Sequence, residues 1–318
     1  MPKSTHGSRA VVALGGNAIT RPGEEGTVEQ DYANLERSLE GVMAVIERGY
    51  EVVLTHGNGP QVGNQMIRVE LARGEAPLLP LDVMGADLQG GLGYMIERVL
   101  RGKLRRAGLA HRVCCMLAMV EVDAADPAFG NPTKFVGPFY GEDEVEALRR
   151  ERGWAMKEDK GRGWRRVVPS PEPRRIVEQQ EILTLLEAGC IVISGGGGGI
   201  PVARTASGDL VGVEGVVDKD LASAVMALAL GAPELIILTG VERVQLGFGT
   251  PAARPLTIVG VAEAREYLAA GHFPAGSMGP KIDAACRFVE GGGSRTLITD
   301  VFKLREALEG TTGTWITA

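Results

Sequence analysis

The sequence predicts an α/β fold in which a mostly parallel sheet is covered by helices on both faces. Two apolar segments, Arg9 to Leu14 and Tyr50 to Thr55, each end in a glycine-rich turn that is followed by a helical pattern. Strands and helices that alternate in this way form parallel sheets, because each helix carries the chain back to the start of the next strand. Ligands of such folds bind at the carboxyl ends of the strands, and we expect the functional site there.

The first third of the chain continues this alternation. A helical pattern runs from Val28 to Arg48, with its apolar side chains on one stripe. Another helix begins at Gln61, and a further one is predicted from Asp82 to Leu100. The apolar segment from Val113 to Val122 predicts a single strand, the third of the sheet.

The segment from Asp123 to Pro173 differs from its surroundings because it is rich in turn residues and basic side chains. Within it we predict one short helical piece, from Glu142 to Arg150. A segment of this length inside a compact domain is usually a lid, a binding loop or a small inserted subdomain. The alternative is a surface excursion without a role.

The α/β alternation resumes from Ile176 to Ala188 and leads into a buried strand, Cys190 to Ile193. Five glycines, Gly195 to Gly199, follow this strand. Glycine lets backbone N–H groups approach phosphate oxygens without a Cβ clash, so this turn suits an anion; the alternative is a flexible linker. A hairpin around Ala203 to Val213 is the candidate boundary between two lobes.

The rest of the chain repeats the same pattern. Proline lacks a backbone N–H and therefore suits the first turn of a helix, which marks the helix start near residue 280. The predicted elements are a helix from Leu221 to Leu230, a strand from Leu235 to Thr239, a helix from Val261 to Ala270, a helix after Pro280, a strand from Thr296 to Ile298 and an edge strand in the tail through Trp315.

Composition narrows the class of protein. The 318 residues include 34 basic and 40 acidic side chains, and a net charge of −6 argues against a nucleic-acid-binding surface. The segment Met1 to Ser8 is short and polar, and no apolar run is long enough to span a membrane, so we expect neither a targeting signal nor a membrane partner. Four cysteines without metal-site spacing predict reduced core thiols in a cytoplasmic protein, and no metal ligand set.

Two lysines and three glycine-rich turns favour phosphoryl transfer. Lys219 lies between Asp218 and Asp220 at a helix start, and Lys281 lies at the start of another helix. Phosphoryl transfer requires positioning and positive charge around the migrating group, which such residues supply. For either lysine alone, the alternative is a solvated surface charge.

Other chemistries lack the residues they need. No lysine followed by Ser or Thr completes a P-loop. The segment from Gly57 to Gly63 departs from a dinucleotide fingerprint, because its last glycine comes one residue late. His56 is simply the residue before a glycine turn, and His272 could contact a nucleotide from its loop but is better explained as a surface side chain.

Several segments resemble a known family. They are Val11 to Ile19, His56 to Gly63, Asn131 to Lys134, Lys157 to Asp159, Gly161 to Arg165, Val167 to Pro171, Gly196 to Val202, Asp218 to Asp220 and Gly276 to Ile282. In the same order, and over nearly the whole chain, they resemble the carbamate kinase family. The chain resembles the amino-acid-kinase superfamily at large more loosely.

The resemblance implies an architecture and a reaction. The fold would be a three-layer αβα sandwich around a large open sheet, usually in a homodimer. An acceptor lobe, residues 1–205, would bind carbamate or carbamoyl phosphate and carry a protruding subdomain at about 123–173. A second lobe, residues 206–318, would bind ATP or ADP with Mg²⁺. The reaction would be reversible phosphoryl transfer between ATP and carbamate, in vivo often run toward ATP.

The resemblance also implies roles for individual residues. Lys219 and Lys281 would contact the transferring phosphoryl group, Asp220 would orient them, and Lys134 would close over the acceptor. The implied substrate-binding residues are Gly15, Gly16, Asn17, Gly57, Asn58, Gly59, Gly195, Gly196 and Gly197. The implied nucleotide-binding residues are Asp218, Thr239, Gly240, Val241 and Met278.

A few positions depart from the family pattern. Ala13 stands where the superfamily often has a lysine, a charge that Lys219 would supply from elsewhere. Asp87 also departs from the pattern and leaves the packing of the dimer open. Glu242 departs from it as well and leaves the contacts to adenine or ribose open. The alternative functions are another small-acid or nucleotide kinase of the superfamily, for acetylglutamate, UMP or fosfomycin, and a non-catalytic nucleotide sensor. An NAD-binding protein comes after these.

Overall fold

The computed structural model describes residues 8–21, 23–274 and 276–318. The expectation that Met1 to Ser8 carries no targeting signal falls, apart from Ser8, on residues that lie outside the described ranges. Among the helices of the described residues, none combines the length and the apolar character that crossing a membrane requires.

The strands follow the sequence as short, mostly apolar segments. In chain order they are β1 (Arg9–Leu14), β2 (Glu51–His56), β3 (Arg112–Cys115), β4 (Met119–Val122), β5 (Lys134–Tyr140), β6 (Ala155–Glu158), β7 (Trp164–Val168), β8 (Arg175–Ile176), β9 (Cys190–Ile193), β10 (Ile200–Arg204), β11 (Leu210–Gly212), β12 (Glu234–Thr239), β13 (Gln245–Leu246), β14 (Arg254–Pro255), β15 (Ile258–Gly260), β16 (Arg295–Asp300) and β17 (Thr314–Thr317).

The helices alternate with these strands. In chain order they are α1 (Val28–Glu47), α2 (Gly59–Leu71), α3 (Leu81–Arg106), α4 (Glu142–Arg152), α5 (Gln179–Glu187), α6 (Lys219–Ala229), α7 (Val261–Ala269), α8 (Met278–Glu290) and α9 (Leu304–Leu308). The first is fixed by its N-cap, Thr27, whose side chain accepts the backbone N–H of Gln30 while Gln30 bonds back to the cap.

A large sheet organises the fold, with strand order β15-β17-β16-β12-β1-β2-β9-β3. Within the described residues all neighbouring pairs of this sheet run parallel except β16 and β17. Val12 packs on one face with α1, α3 and α9, whereas Val11 packs on the other with α5, α6 and α8. The predicted three-layer αβα sandwich is confirmed.

The predicted single strand from Val113 to Val122 is wrong. The segment forms two strands, and the second, β4, joins a separate sheet of order β11-β10-β4-β8. The chain turns at Ala118, whose N–H donates to the Gln89 side chain and whose C=O accepts from it. The apolar run does not reveal this change of partner, because both strands are only four residues long and lie within the same run.

The inserted segment is more ordered than predicted. Besides helix α4 it contains a three-stranded antiparallel sheet, β5-β7-β6. Arginines of this segment stack on aromatic rings, with Arg166 of β7 4.9 Å from the Trp154 ring centre and Arg149 of α4 5.6 Å from that of Trp164. Such contacts leave no apolar alternation in the sequence, which is why the strands were missed.

The two remaining topological predictions have opposite outcomes. The hairpin around Ala203 to Val213 is confirmed, because β10 and β11 pair antiparallel. The tail does not form an edge, since β17 lies between β16 and β15, and β15 is the edge strand. The division into lobes 1–205 and 206–318 stays a prediction, and the large sheet takes strands from both sides of it.

Two glycines of α3 allow a matched test of the packing between this helix and the sheet. A Cβ on Gly93 would lie 2.1 Å from the Cys115 Sγ, whereas a Cβ on Gly85 would meet nothing within 4 Å. We expect Gly93→Ala to destabilise the protein by about 1–3 kcal/mol through overpacking. Gly85→Ala should be neutral or stabilising by up to about 1 kcal/mol. Thermal melting of both variants checks this, and equal melting temperatures would contradict the packing.

Candidate active site

A cavity of about 360 Å³ opens at the carboxyl ends of the central strands. The turns after β1, β2, β9 and β12 line it, together with the first turns of α6 and α8 and the start of β5. The predicted site residues that line it are Gly15, Gly16, Asn17, Gly57, Asn58, Gly59, Lys134, Gly197, Asp218, Lys219, Asp220, Thr239, Gly240 and Lys281.

The carboxylate of Asp220 joins two lysines from distant parts of the chain. Its Oδ1 accepts from the Lys219 Nζ at 2.6 Å, and its Oδ2 accepts from the Lys281 Nζ at 2.8 Å. Asp220 is 3% exposed, so its carboxylate is shielded from bulk water, while both lysines line the cavity. The two ammonium groups therefore converge on one place at the cavity wall.

The electrostatics of this cluster follow from burial and pairing. Burial alone would raise the pKa of the Asp220 carboxyl, but the ammonium groups of Lys219 and Lys281 outweigh it and hold that pKa below its usual range. Burial lowers the pKa of the Lys219 ammonium; the charge of Lys281 adds to this effect and that of Asp220 opposes it. Asp220 is therefore a fixed anionic bridge between the two lysines.

Helix α6 is anchored at its first turn, which fixes the position of Lys219. The Oδ1 of Asp218, the N-cap, accepts from the Asp220 N–H at 2.9 Å. The Ser223 hydroxyl donates to the Lys219 carbonyl and lies 2.7 Å from the Thr55 hydroxyl of β2. The helix start is thus tied both to its own cap and to the neighbouring strand.

The inserted segment reaches the site through Lys134. Its Nζ lies 3.0 Å from the Oδ2 of Asp218, so one carboxylate both caps α6 and pairs with the insertion. Phe135 and Val136, the next residues of β5, also line the cavity. The alternative of a surface excursion does not describe this segment, because it forms part of the cavity wall.

At three positions of the glycine turns, neighbouring backbone or side-chain atoms lie too close to leave room for a Cβ. A Cβ on Gly57 would lie 2.8 Å from the Gly16 nitrogen, and one on Gly15 would lie 2.9 Å from the Leu238 carbonyl oxygen. Gly197 has a φ of +67°, and a Cβ there would lie 2.2 Å from the Asn58 Nδ2. The three turns therefore pack against one another as one unit.

Two of the predicted glycines lie behind the cavity wall. Gly195 has a φ of +70° and faces Met226, and Gly196 is buried against the His56 ring. Contact between these two glycines and a substrate stays a prediction.

A second, more apolar pocket adjoins the cavity and shares Thr239, Ser277 and Lys281 with it. Val241 and Met278, two of the predicted nucleotide-binding residues, line this pocket, and Gly240 lies beside it in the cavity. Asp218 lies at the other end, among the cations. His272 is exposed and packs edge-on against Tyr267 rather than lining either pocket.

Sequence reasoning missed several wall residues. Phe135, Val136, Ser277 and Val301 line the cavity, and Phe248 lines the apolar pocket. Ser277 lies inside the segment Gly276 to Ile282, and Phe135 and Val136 directly follow Lys134. Their position next to predicted site residues could have identified them. In the described part of the chain no group of three His, Cys, Asp or Glu side chains is placed to hold a metal ion.

Comparison with known proteins agrees with this geometry. The model of the amino acid kinase family matches residues 8–300. The carbamate kinase of Pyrococcus furiosus is 48% identical over 312 residues, covering 98% of this chain and 99% of that protein. The carbamate kinase of Trichomonas vaginalis is 42% identical, covering 97% and 99%.

A solved structure agrees as well. The carbamate kinase of Giardia lamblia bound to AMP-PNP superposes with a TM-score of 0.92 at 39% identity, covering 98% of each chain. Two observations thus coincide: a full-length sequence match and an αβα sandwich with its lysines at the strand ends. The chain therefore belongs to the amino acid kinase family and, within it, to the carbamate kinase family.

Proposed function

We propose that this chain transfers a phosphoryl group reversibly between ATP and carbamate, and that the cavity is where the transfer occurs. The observation that carries the proposal is the pair of ammonium groups held by Asp220 at the carboxyl ends of parallel strands. The activity named for the relatives supports the choice of carbamate as the acceptor.

The shape of the site supports an orientation for the two substrates. The apolar pocket suits the adenosine end of the nucleotide, because Val241, Phe248 and Met278 line it. The glycine turns and Lys134 lie at the other end of the cavity and suit carbamate. The migrating phosphoryl group would then lie beside Lys219, which lines the cavity, and Lys281, which lines both the cavity and the apolar pocket.

The mechanism follows from charge. A carbamate oxygen attacks the γ-phosphorus in line and forms the new P–O bond, while the bond to the β–γ bridging oxygen breaks and its electrons leave with ADP. No general base is required, because carbamate is already an anion. The ammonium groups of Lys219 and Lys281 and the N–H groups of the glycine turns stabilise the charge on the transferring oxygens.

Magnesium would enter with the nucleotide. Both carboxylates of the cavity, Asp218 and Asp220, are paired with lysines, so the donor set suits an ion that keeps its phosphate and water ligands. Asp218 is the residue that would contact it through water. The ion would supply neutralising charge to the β- and γ-phosphates.

We further propose a cytoplasmic homodimer. Four free cysteines, with Cys286 buried and the others half-buried, support a reducing compartment. Val83 and Tyr94 of α3 are exposed large side chains on one helix, which supports an association surface there.

The first test is ATP formation from ADP and carbamoyl phosphate, with acetylglutamate, UMP and fosfomycin as rival acceptors in the ATP-consuming direction.

We expect Lys219→Ala and Lys281→Ala each to lower kcat by about 10²–10³, because each removes a donor to the transferring group. Lys303→Ala, whose ammonium pairs with Glu306 at the surface, is the matched control. Full activity in either site variant would show that the phosphoryl group is not transferred beside these lysines.

Lys134 should act on the acceptor rather than on the nucleotide. We expect Lys134→Ala to raise KM for carbamoyl phosphate by about tenfold or more through loss of a charged hydrogen bond, with KM for ADP unchanged. Lys157→Ala, on the same inserted segment and bonded to the Asn131 side chain, should behave as wild type. Steady-state kinetics with each substrate varied measures these constants. Unchanged kcat and KM values in Lys134→Ala would show that Lys134 of the inserted segment takes no part in the reaction.

A further inference from the structure

His56 is a buried side chain that the mechanism does not use. It is the last residue of β2 and 1% exposed, and it does not line the cavity. The other described histidines, His111 and His272, are exposed. A buried imidazole directly behind an anion site therefore requires an explanation.

The hydrogen bonding of His56 defines its tautomer. Its Nδ1 lies 3.1 Å from the carbonyl oxygen of Gly57. A carbonyl only accepts, so Nδ1 carries the hydrogen and Nε2 carries the lone pair. Burial lowers the pKa of His56 to about 4. The hydrogen bond to Gly57 raises this pKa, whereas the nearby Lys219 ammonium lowers it further. The ring is therefore neutral at physiological pH.

The ring also fills the space between two glycine turns. A Cβ on Gly196 would lie 2.3 Å from the His56 Nε2, so the turn after β9 rests directly on the imidazole. On the other side, the ring holds the Gly57 carbonyl, and a Cβ on Gly57 would lie 2.8 Å from the Gly16 nitrogen. One side chain thus links, directly or through Gly57, the turns after β1, β2 and β9.

We propose that His56 is a positioning residue for phosphoryl transfer, which fixes the three glycine turns at the separations that their N–H groups need to meet the transferring oxygens. The inference rests on the proposed placement of the phosphoryl group in the cavity. Fixed donors stabilise a transition state without reorganising, whereas small displacements of them reduce the rate steeply.

The titration of His56 gives one check. Between pH 6.5 and about 4 the unfolded chain binds a proton at this position and the native chain does not, so native stability falls as the pH falls through this window. We expect the melting temperature of wild type to fall more across the window than that of His56→Asn, which has no such titration. Equal losses would show that the imidazole is not held neutral.

Kinetics of matched variants test the positioning role. We expect His56→Leu to lower kcat for ATP formation by about tenfold or more, since a displacement of the turns acts on the transition state. KM for ADP should stay unchanged, because the nucleotide pocket does not include His56. His56→Asn keeps an N–H donor near the Nδ1 position and should recover most of kcat. His111→Leu, at an exposed position, is the control.

The outcomes separate the two levels of the proposal. Wild-type kcat in His56→Leu overturns the positioning role. If that variant does not fold, His56→Asn is compared with His56→Gln, which lacks the donor at the Nδ1 position; a kcat for His56→Asn no higher than for His56→Gln overturns it as well. Full activity of Lys281→Ala refutes the placement of the reaction, whereas loss of activity there with an unaffected His56→Leu refutes only the role of His56.

Discussion

The ion cluster around Asp220 is the interaction on which the site depends. Two ammonium groups at one cavity wall would repel each other and lose hydration, and an unpaired buried charge costs several kcal/mol. The carboxylate lies between them, 2.6 Å from one ammonium nitrogen and 2.8 Å from the other. Two cations against one anion leave an excess positive charge facing the cavity, which is the complement that a phosphoryl group requires.

This arrangement requires helices α6 and α8 to begin at the correct positions on the large sheet. Lys219 begins α6 and Lys281 lies in the first turns of α8, and both helices pack on the same face of the large sheet. The Asp218 cap and the bond between Ser223 and Thr55 fix the start of α6 against β2. The donors are therefore in place before substrate binds, and little reorganisation is left for the transition state.

The sequence was informative where local chemistry decides the structure. Strand, glycine turn and helix signals predicted the large sheet, and the two lysines at helix starts, together with the glycine turns, predicted a site for phosphoryl transfer. The break at Ala118 depends on a hydrogen bond from Gln89, 29 residues away, and the strands of the insertion depend on arginine–aromatic contacts. Neither leaves a periodic pattern. His56 was missed for the same reason, since its burial and its contact with Gly196 arise only after β2 and β9 pair.

The five-glycine run, Gly195 to Gly199, allows close packing around the turn after β9. Its structure excludes the alternative that the run is a flexible linker. Gly198 and Gly199 have φ values of +93° and +87°, and Cβ atoms there would lie 2.5 Å from the Val217 carbonyl oxygen and 2.1 Å from a Val120 methyl group. The turn is thus enclosed by the residue before the α6 cap on one side and by β4 on the other. Glycine at these positions supplies close approach rather than flexibility, because a side chain at Gly198 would displace the helix start that carries Lys219, and one at Gly199 would displace β4.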